Sequence, residues 1–272
     1  MEDFISGFRP EPLPVTDKEK ADWETYSFSA ALIPQLSEYS GKTSDLRQFA
    51  SPRHNQLRSS TCVAQAVIKA LELKRIQKYG ITAHVDLSRL ALYFLARELM
   101  SPPETSVDKG THVSLAADAL RRFGVCEEAL WPFAADLPRI CTAPSWLAMR
   151  RAYVHKIASW HRITSTGTAR VDEVITALAA GNPVVYGTRV GKNWMQYTAN
   201  SEPLGLPPDI IGGHATVLEG WNAKSFLGEN SWGLWGKNGF YEIQPEVIAS
   251  DLSSDFVVIQ SGWESYIQKV ST

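Results

Sequence analysis

Gln56 and Cys62 lie six residues apart in HNQLRSSTCVAQA (54–66), and the cysteine falls where an apolar helical pattern begins. Far along the chain, GGHATVLEGW (212–221) carries His214, and GENSWGLWGKNGFYEI (228–243) carries Asn230 sixteen residues later. Thiol catalysis asks for four parts. A cysteine must be held as thiolate, which a helix N-terminus favours through its unpaired N–H groups and macrodipole. Ser60 or Thr61 is the expected cap of that helix. An imidazole must pair with the thiolate and shuttle its proton, and a further group must fix the imidazole's tautomer and orientation. Two donors must meet the oxyanion of the tetrahedral intermediate. His214 opening one strand and Asn230 closing the next, across a turn at 222–225, supply the imidazole and its orienting group if the two strands pair antiparallel. An amide suffices there, because the thiolate already compensates the imidazolium. Each residue alone reads blandly, since a lone helix cysteine is usually buried and inert. Only the joint spacing is specific.

That spacing resembles the papain-like cysteine peptidases, and the resemblance extends past the four residues. SDLRQFASPRHNQ is similar to the family's Asp-x-Arg opening, GTHVSLAADALRRFGVCEEALWPF to its Gly-Val…Trp-Pro-Phe stretch, and ALAAGNPVVYGTRV to its Gly-x-Pro-Val strand. The Gly-Gly-His motif and GVC-x-E…WP give it the flavour of the bacterial and viral branch. The likeness covers roughly residues 44–262 in the family's order. It implies an α+β, papain-like two-lobed fold, with the active site in the cleft between a helical lobe and an antiparallel sheet or barrel. It implies Cys62 as nucleophile, His214 as general base and acid, Asn230 as the group orienting His214, and Gln56 with the Cys62 N–H as oxyanion donors. Trp232 would shield the His214–Asn230 bond, while Gly110, Thr111 and Gly213 would line the substrate. The implied partner is a peptide or protein, cleaved through a Cys62 thioester. Acyl transfer, deamidation, or a silent fold used for binding remain as alternatives. Three departures stand out: Val63 replaces the usual aromatic after the nucleophile, Ser59 replaces a cysteine, and Gly110-Thr111 replaces a Gly-Gly pair.

The elements that must position these residues follow from periodicity. Helices are expected at 62–79, 87–99, 113–123 and 171–180, and strands at 183–190, 214–221, 239–243 and 255–261. Helices first and strands later predict helical and sheet halves, about 56–150 and 151–262, with 45–55 joining the sheet half. Residues 1–44, rich in proline, are expected to form an arm or short pro-segment, either across the cleft or packed behind it, and 263–272 a tail. The polar stretch SPPETSVDKGT reads as a loop, and 191–211 as a long loop whose Trp194, Met195 and Tyr197 form a cleft wall or an anchor.

The 272 residues are 44% hydrophobic and 21% charged, enough for a substantial core. Lys plus Arg number 27 against 29 Asp plus Glu, so no strong field favours nucleic acid or a membrane surface. No signal peptide is read at the N-terminus, and three cysteines do not make a disulfide framework. A reducing, cytoplasmic setting is therefore expected, with export as an effector left open. Cys126 and Cys141 are expected as buried thiols. His54, His84, His112, His155 and His161 show no metal-ligand spacing, and no cofactor or metal is expected.

Overall fold

The structure, a computed structural model, describes residues 7–12 and 42–260. The tail at 263–272 and most of the arm lie outside the described residues. Helix α1 (Cys62–Tyr79) is buried without interruption from Cys62 to Leu73. A helix with no solvent face sits between other layers, so its Gln65, Lys69 and Glu72 must find partners inside the protein. It stops at Gly80, whose φ of +81° other residues avoid. Helices α2 (Arg89–Glu98) and α3 (Val113–Arg122) pack against α1 and each other. The Ser88 hydroxyl starts α2 by accepting the Ala91 N–H.

The strands are β1 (Ser44–Asp45), β2 (Ser159–Ile163), β3 (Val184–Val190), β4 (Gly212–Trp221), β5 (Phe226–Glu229), β6 (Phe240–Ile243) and β7 (Ser253–Gln260). They form an antiparallel sheet in the order β2-β7-β3-β4-β5-β6, with β1 also pairing β4. Side chains alternate between its faces. Val185, Val257 and Ile259 join the core of the helices, while Val184, Tyr186, Phe256 and Val258 join a second core. This is the expected α+β arrangement, with α1 between the other helices and the sheet.

Several elements go beyond the sequence reading. Helix α4 (Trp146–Ala152) is capped by Ser145, and β2 reads SWHRI, whose strand character comes from pairing residue by residue with β7. The helix expected at 171–180 starts earlier: α5 (Gly167–Ala179) closes the second core with Val174, Ala177 and Leu178. Within 191–211 a short helix, α6 (Lys192–Met195), buries Trp194 to 1% exposure, so this tryptophan is an anchor.

Candidate active site

Cys62 is the first residue of α1. The expected side-chain cap is absent. Thr61 sits at φ −88°, ψ 8° rather than in an extended conformation, and makes no capping bond. Its hydroxyl instead bonds Ser59 Oγ at 2.7 Å and accepts from Gln65 Nε2 at 3.2 Å, while Ser60 Oγ donates to the Asp108 carbonyl at 3.1 Å. The Cys62 sulfur meets the N–H groups of Ala215, Val63 and Cys62 itself. Ala215 follows His214 on β4, so the thiol reaches from the helical lobe to the sheet beside the histidine.

Antiparallel pairing of β4 with β5, Val217 opposite Glu229, carries His214 and Asn230 to one end of the sheet. His214 Nε2 lies 2.8 Å from Asn230 Oδ1. An amide oxygen only accepts, so Nε2 carries the proton and Nδ1 is the basic nitrogen. Asn230 Oδ1 also accepts the Ser231 N–H at 2.7 Å, which fixes the amide. The His214 ring lies 4.7 Å from the Trp232 ring and 5.9 Å from Trp194, whose indole backs the pair.

Gln56 is held between the lobes. Its N–H donates to the Ser231 carbonyl at 2.8 Å, and its Oε1 accepts from Ser231 Oγ at 2.7 Å. Its Nε2 donates one proton to the Ser59 carbonyl at 2.9 Å, and the other N–H remains for a ligand. Ser231 is thus a site residue the sequence reading passed over, although it lies inside NSWG. Its hydroxyl decides which end of the Gln56 amide faces the cleft.

The arm lies across the site. Thr111 donates its N–H to the Gly7 carbonyl and accepts the Arg9 N–H, both at 3.1 Å, so Phe8 pairs with Thr111 as a parallel strand would. Gly7 rests on Cys62: a Cβ there would lie 2.7 Å from Cys62 Sγ and 2.5 Å from the Ser60 carbonyl oxygen. Phe8 is only 4% exposed. Its ring occupies space that a Cβ on Gly187 would fill at 2.0 Å, and its carbonyl oxygen would be 2.9 Å from a Cβ on Gly213. Gly110 has φ +81°, and a Cβ there would strike the Gly7 carbonyl at 2.1 Å. Beyond Phe8, Arg9 pairs with Glu104 at 2.7 Å, His112 Nδ1 donates to the Arg9 carbonyl at 2.7 Å, and Glu11 forms a two-pronged pair with Arg162.

This cover strips water from the pair beneath it. Burial pushes the Cys62 thiol up to about 12 and lowers His214 to about 4, so both are neutral at pH 7 with the arm in place.

Below the site, the polar residues of α1 find their partners. Lys69 meets Glu229 at 2.9 Å and donates to Ser51 and Pro52, and Arg53 reaches the same carboxylate at 3.3 Å. Glu72 accepts from Ser51 Oγ at 2.6 Å and the Leu87 N–H at 3.0 Å, with His54 Nε2 at 3.3 Å. His54, Glu72 and Asp86 bring ligand-type atoms within 4.8 Å of one another. Glu72 already accepts from Ser51 and Leu87, and burial lowers His54 to about 4, so its neutral ring joins this cluster as a hydrogen-bond partner. Cys126 and Cys141 are free, the first buried and the second partly so.

A thiol at a helix N-terminus, set across a cleft from a histidine–amide pair on an antiparallel sheet, is the architecture of the papain class. Solved structures agree. Xylellain, a cysteine protease from Xylella fastidiosa, matches with a TM-score of 0.75 and 25% identity, over 94% of this chain and 96% of that one. Digestive procathepsin L 3 of Tenebrio molitor larval midgut matches at 0.69 with 13% identity, over 95% of this chain and 77% of that one. The bromelain protease from Ananas comosus, solved in complex with the E64 inhibitor, matches at 0.63 with 19% identity, over 80% of this chain and 98% of that one. No family model and no curated protein matches the sequence. By structure, the chain has the papain-like α+β fold and matches papain-like cysteine proteases over most of its length.

Proposed function

We propose that this chain is a cysteine peptidase held latent by its own N-terminal arm. The observation that carries the reading is the meeting of Cys62 Sγ with the Ala215 N–H, next to the His214–Asn230 bond and the buried Gln56 amide. With Gly7 and Phe8 displaced, water returns to the cleft. The basic Nδ1 of His214 then takes the thiol proton, and the helix N-terminus favours the resulting thiolate. The thiolate attacks a peptide carbonyl, and the negative oxygen is met by the free Gln56 N–H and the Cys62 backbone N–H. The imidazolium gives its proton to the leaving amine, leaving a thioester on Cys62. Water activated by His214 then releases the acid.

The arm is a poor substrate because it runs parallel to Thr111. The test uses protein from which the arm has been removed by limited proteolysis. It should hydrolyse peptides and be labelled by an E-64-type epoxide, while Cys62→Ala loses both and still unfolds cooperatively. Labelling that persists in Cys62→Ala would refute the assignment.

A further inference from the structure

Glu104 sits in the polar loop SPPETSVDKGT, which the catalytic quartet leaves without a role. That loop is built to hold its shape. Arg97 is fully buried, and its guanidinium donates to the carbonyls of Glu104 at 3.4 Å, Thr105 at 3.3 Å, Val107 and Ile140. At the loop's other end, the Asp108 carboxylate accepts the Tyr93 hydroxyl at 2.7 Å and the Ser60 N–H at 3.1 Å. The Tyr93 hydroxyl in turn accepts the Gly110 N–H at 2.8 Å. The wall from Glu104 to Thr111 is thus tied both to α2 and to the residues preceding Cys62. A carboxylate on such a wall is preorganised, so it recognises a ligand without first ordering a flexible loop.

The arm shows which chemistry this wall accepts. The residue paired with Thr111 puts its side chain over Gly187, and its neighbour one step farther from Cys62 meets Glu104. Arg9 takes that second place, with Nη1 at 2.7 Å from Glu104 Oε2 and 4.0 Å from Met100 Sδ. Its guanidinium holds the Glu104 carboxyl below the usual carboxylate range. An extended peptide pairing with Thr111 in either direction places a side chain at the same wall, so the preference does not depend on the arm's polarity.

We propose that Glu104 is a specificity-determining residue, selecting substrates with a cationic side chain next to the residue that fills the space over Gly187. The proposal rests on the peptidase reading above and concerns the same cleft. Glu104 is partly exposed, with Lys109 and His112 close enough to act on its charge, so the selectivity is modest. A partly exposed pair gives about a two- to fivefold preference, reduced by salt.

The test compares two blocked peptides, acyl-Arg-Phe-Gly and acyl-citrulline-Phe-Gly, each with a fluorogenic leaving group after glycine. Citrulline keeps the length of arginine and removes its charge. With arm-free enzyme, kcat/KM should favour arginine about two- to fivefold, with the ratio falling in 0.5 M NaCl. Glu104→Gln should bring the ratio close to one through loss on the arginine peptide, and Glu104→Asp should restore part of it. A wild-type ratio near one, or a preference that survives Glu104→Gln, overturns the proposal. Binding is measured in parallel by fluorescence anisotropy, with dye-labelled, non-fluorogenic versions of the two peptides and arm-free Cys62→Ala protein. The same preference is expected in Kd. If neither peptide is hydrolysed but binding discriminates, the peptidase reading fails and the role of Glu104 stands. If hydrolysis occurs without discrimination in either measurement, the reverse holds.

Discussion

At the floor of the cleft, Lys69 and Glu229 meet at 2.9 Å with side-chain exposures of 3% and 1%. At its mouth, Arg9 and Glu104 meet at 2.7 Å with exposures of 35% and 29%. The two pairs have nearly the same length and opposite consequences. Both floor charges were taken out of water during folding, so each leans on the other for compensation, and removing Lys69 leaves the buried Glu229 to the more distant Arg53 at 3.3 Å. The mouth charges keep much of their hydration apart or together, so their pair forms and breaks at little cost. The molecule places its permanent joint between lobes where water is excluded, and its releasable contacts where water remains.

The largest expected effect breaks the floor. Lys69→Met should leave the buried Glu229 carboxylate beside Glu219, itself fully buried on β4, with Arg53 compensating it only in part, and destabilise the protein by about 3 kcal/mol in urea unfolding. Adding Glu229→Met should recover much of that loss, because the stranded charge goes with it. A single-variant cost below about 1 kcal/mol would put floor and mouth on the same footing.

At the mouth the decisive atom is a missing one. Gly7→Ala sets a methyl 2.5 Å from the Ser60 carbonyl oxygen and 2.7 Å from Cys62 Sγ, closer than such contacts allow. The arm should lift off, and the Cys62 thiol should leave the environment that holds it at about 12. Alkylation of Cys62 by iodoacetamide at pH 7 should accelerate about tenfold or more, with little change in global stability. Unchanged alkylation would mean that Gly7 does not gate the thiol.

Much of the site was legible in the sequence, because motif chemistry is local. Cys62 at the start of a helix, Gln56 before it, and His214 and Asn230 at the ends of successive strands each announce themselves through neighbours. The fold was legible for the related reason that α1 to α3 and β3, β4, β6 and β7 carry their periods in their own residues. What was not legible depends on distant partners. SWHRI becomes a strand only through β7. Gly7 and Phe8 have no motif, and their place follows from the missing Cβ atoms of Gly187 and Gly213, far along the chain. Lys69 was visible as a charge on an apolar helix, but nothing in the sequence names Glu229 as its partner. The cap expected from Ser60 or Thr61 fails for a similar reason, since Asp108, Ser59 and Gln65 claim those hydroxyls.

A smaller effect sharpens the contrast inside the proposed catalytic quartet. Ser231→Ala removes the donor that fixes Gln56 Oε1, leaving the amide held by its bond to the Ser59 carbonyl and less tightly oriented. The hydrogen bond is neutral, so kcat of arm-free enzyme should fall about three- to tenfold while KM stays within twofold. A rise in KM with kcat unchanged would place Ser231 in ground-state binding instead.

A pH-dependent effect concerns a mouth contact that burial has made costly. The Asp255 carboxylate accepts the Glu11 N–H at 3.2 Å, with Arg162 and Ser254 also facing it, and burial raises the acid from its ordinary 3.8 to about 6. A folded-state value above the unfolded one means the folded chain holds this proton more tightly. Stability from Asp255 is therefore full below about pH 4, declines as pH climbs through 6, and is absent above that. Asparagine keeps the acceptor for the Glu11 N–H, tolerates the left-handed φ of +56°, and never ionises. Asp255→Asn should therefore stabilise the protein by about 1–3 kcal/mol at pH 7.5 and leave it unchanged at pH 4, read from thermal unfolding at the two pH values. An equal gain at both would trace the effect to backbone preference. A loss at pH 7.5 would mean that attraction to Arg162 outweighs the desolvation, so that this mouth charge behaves like those of the floor.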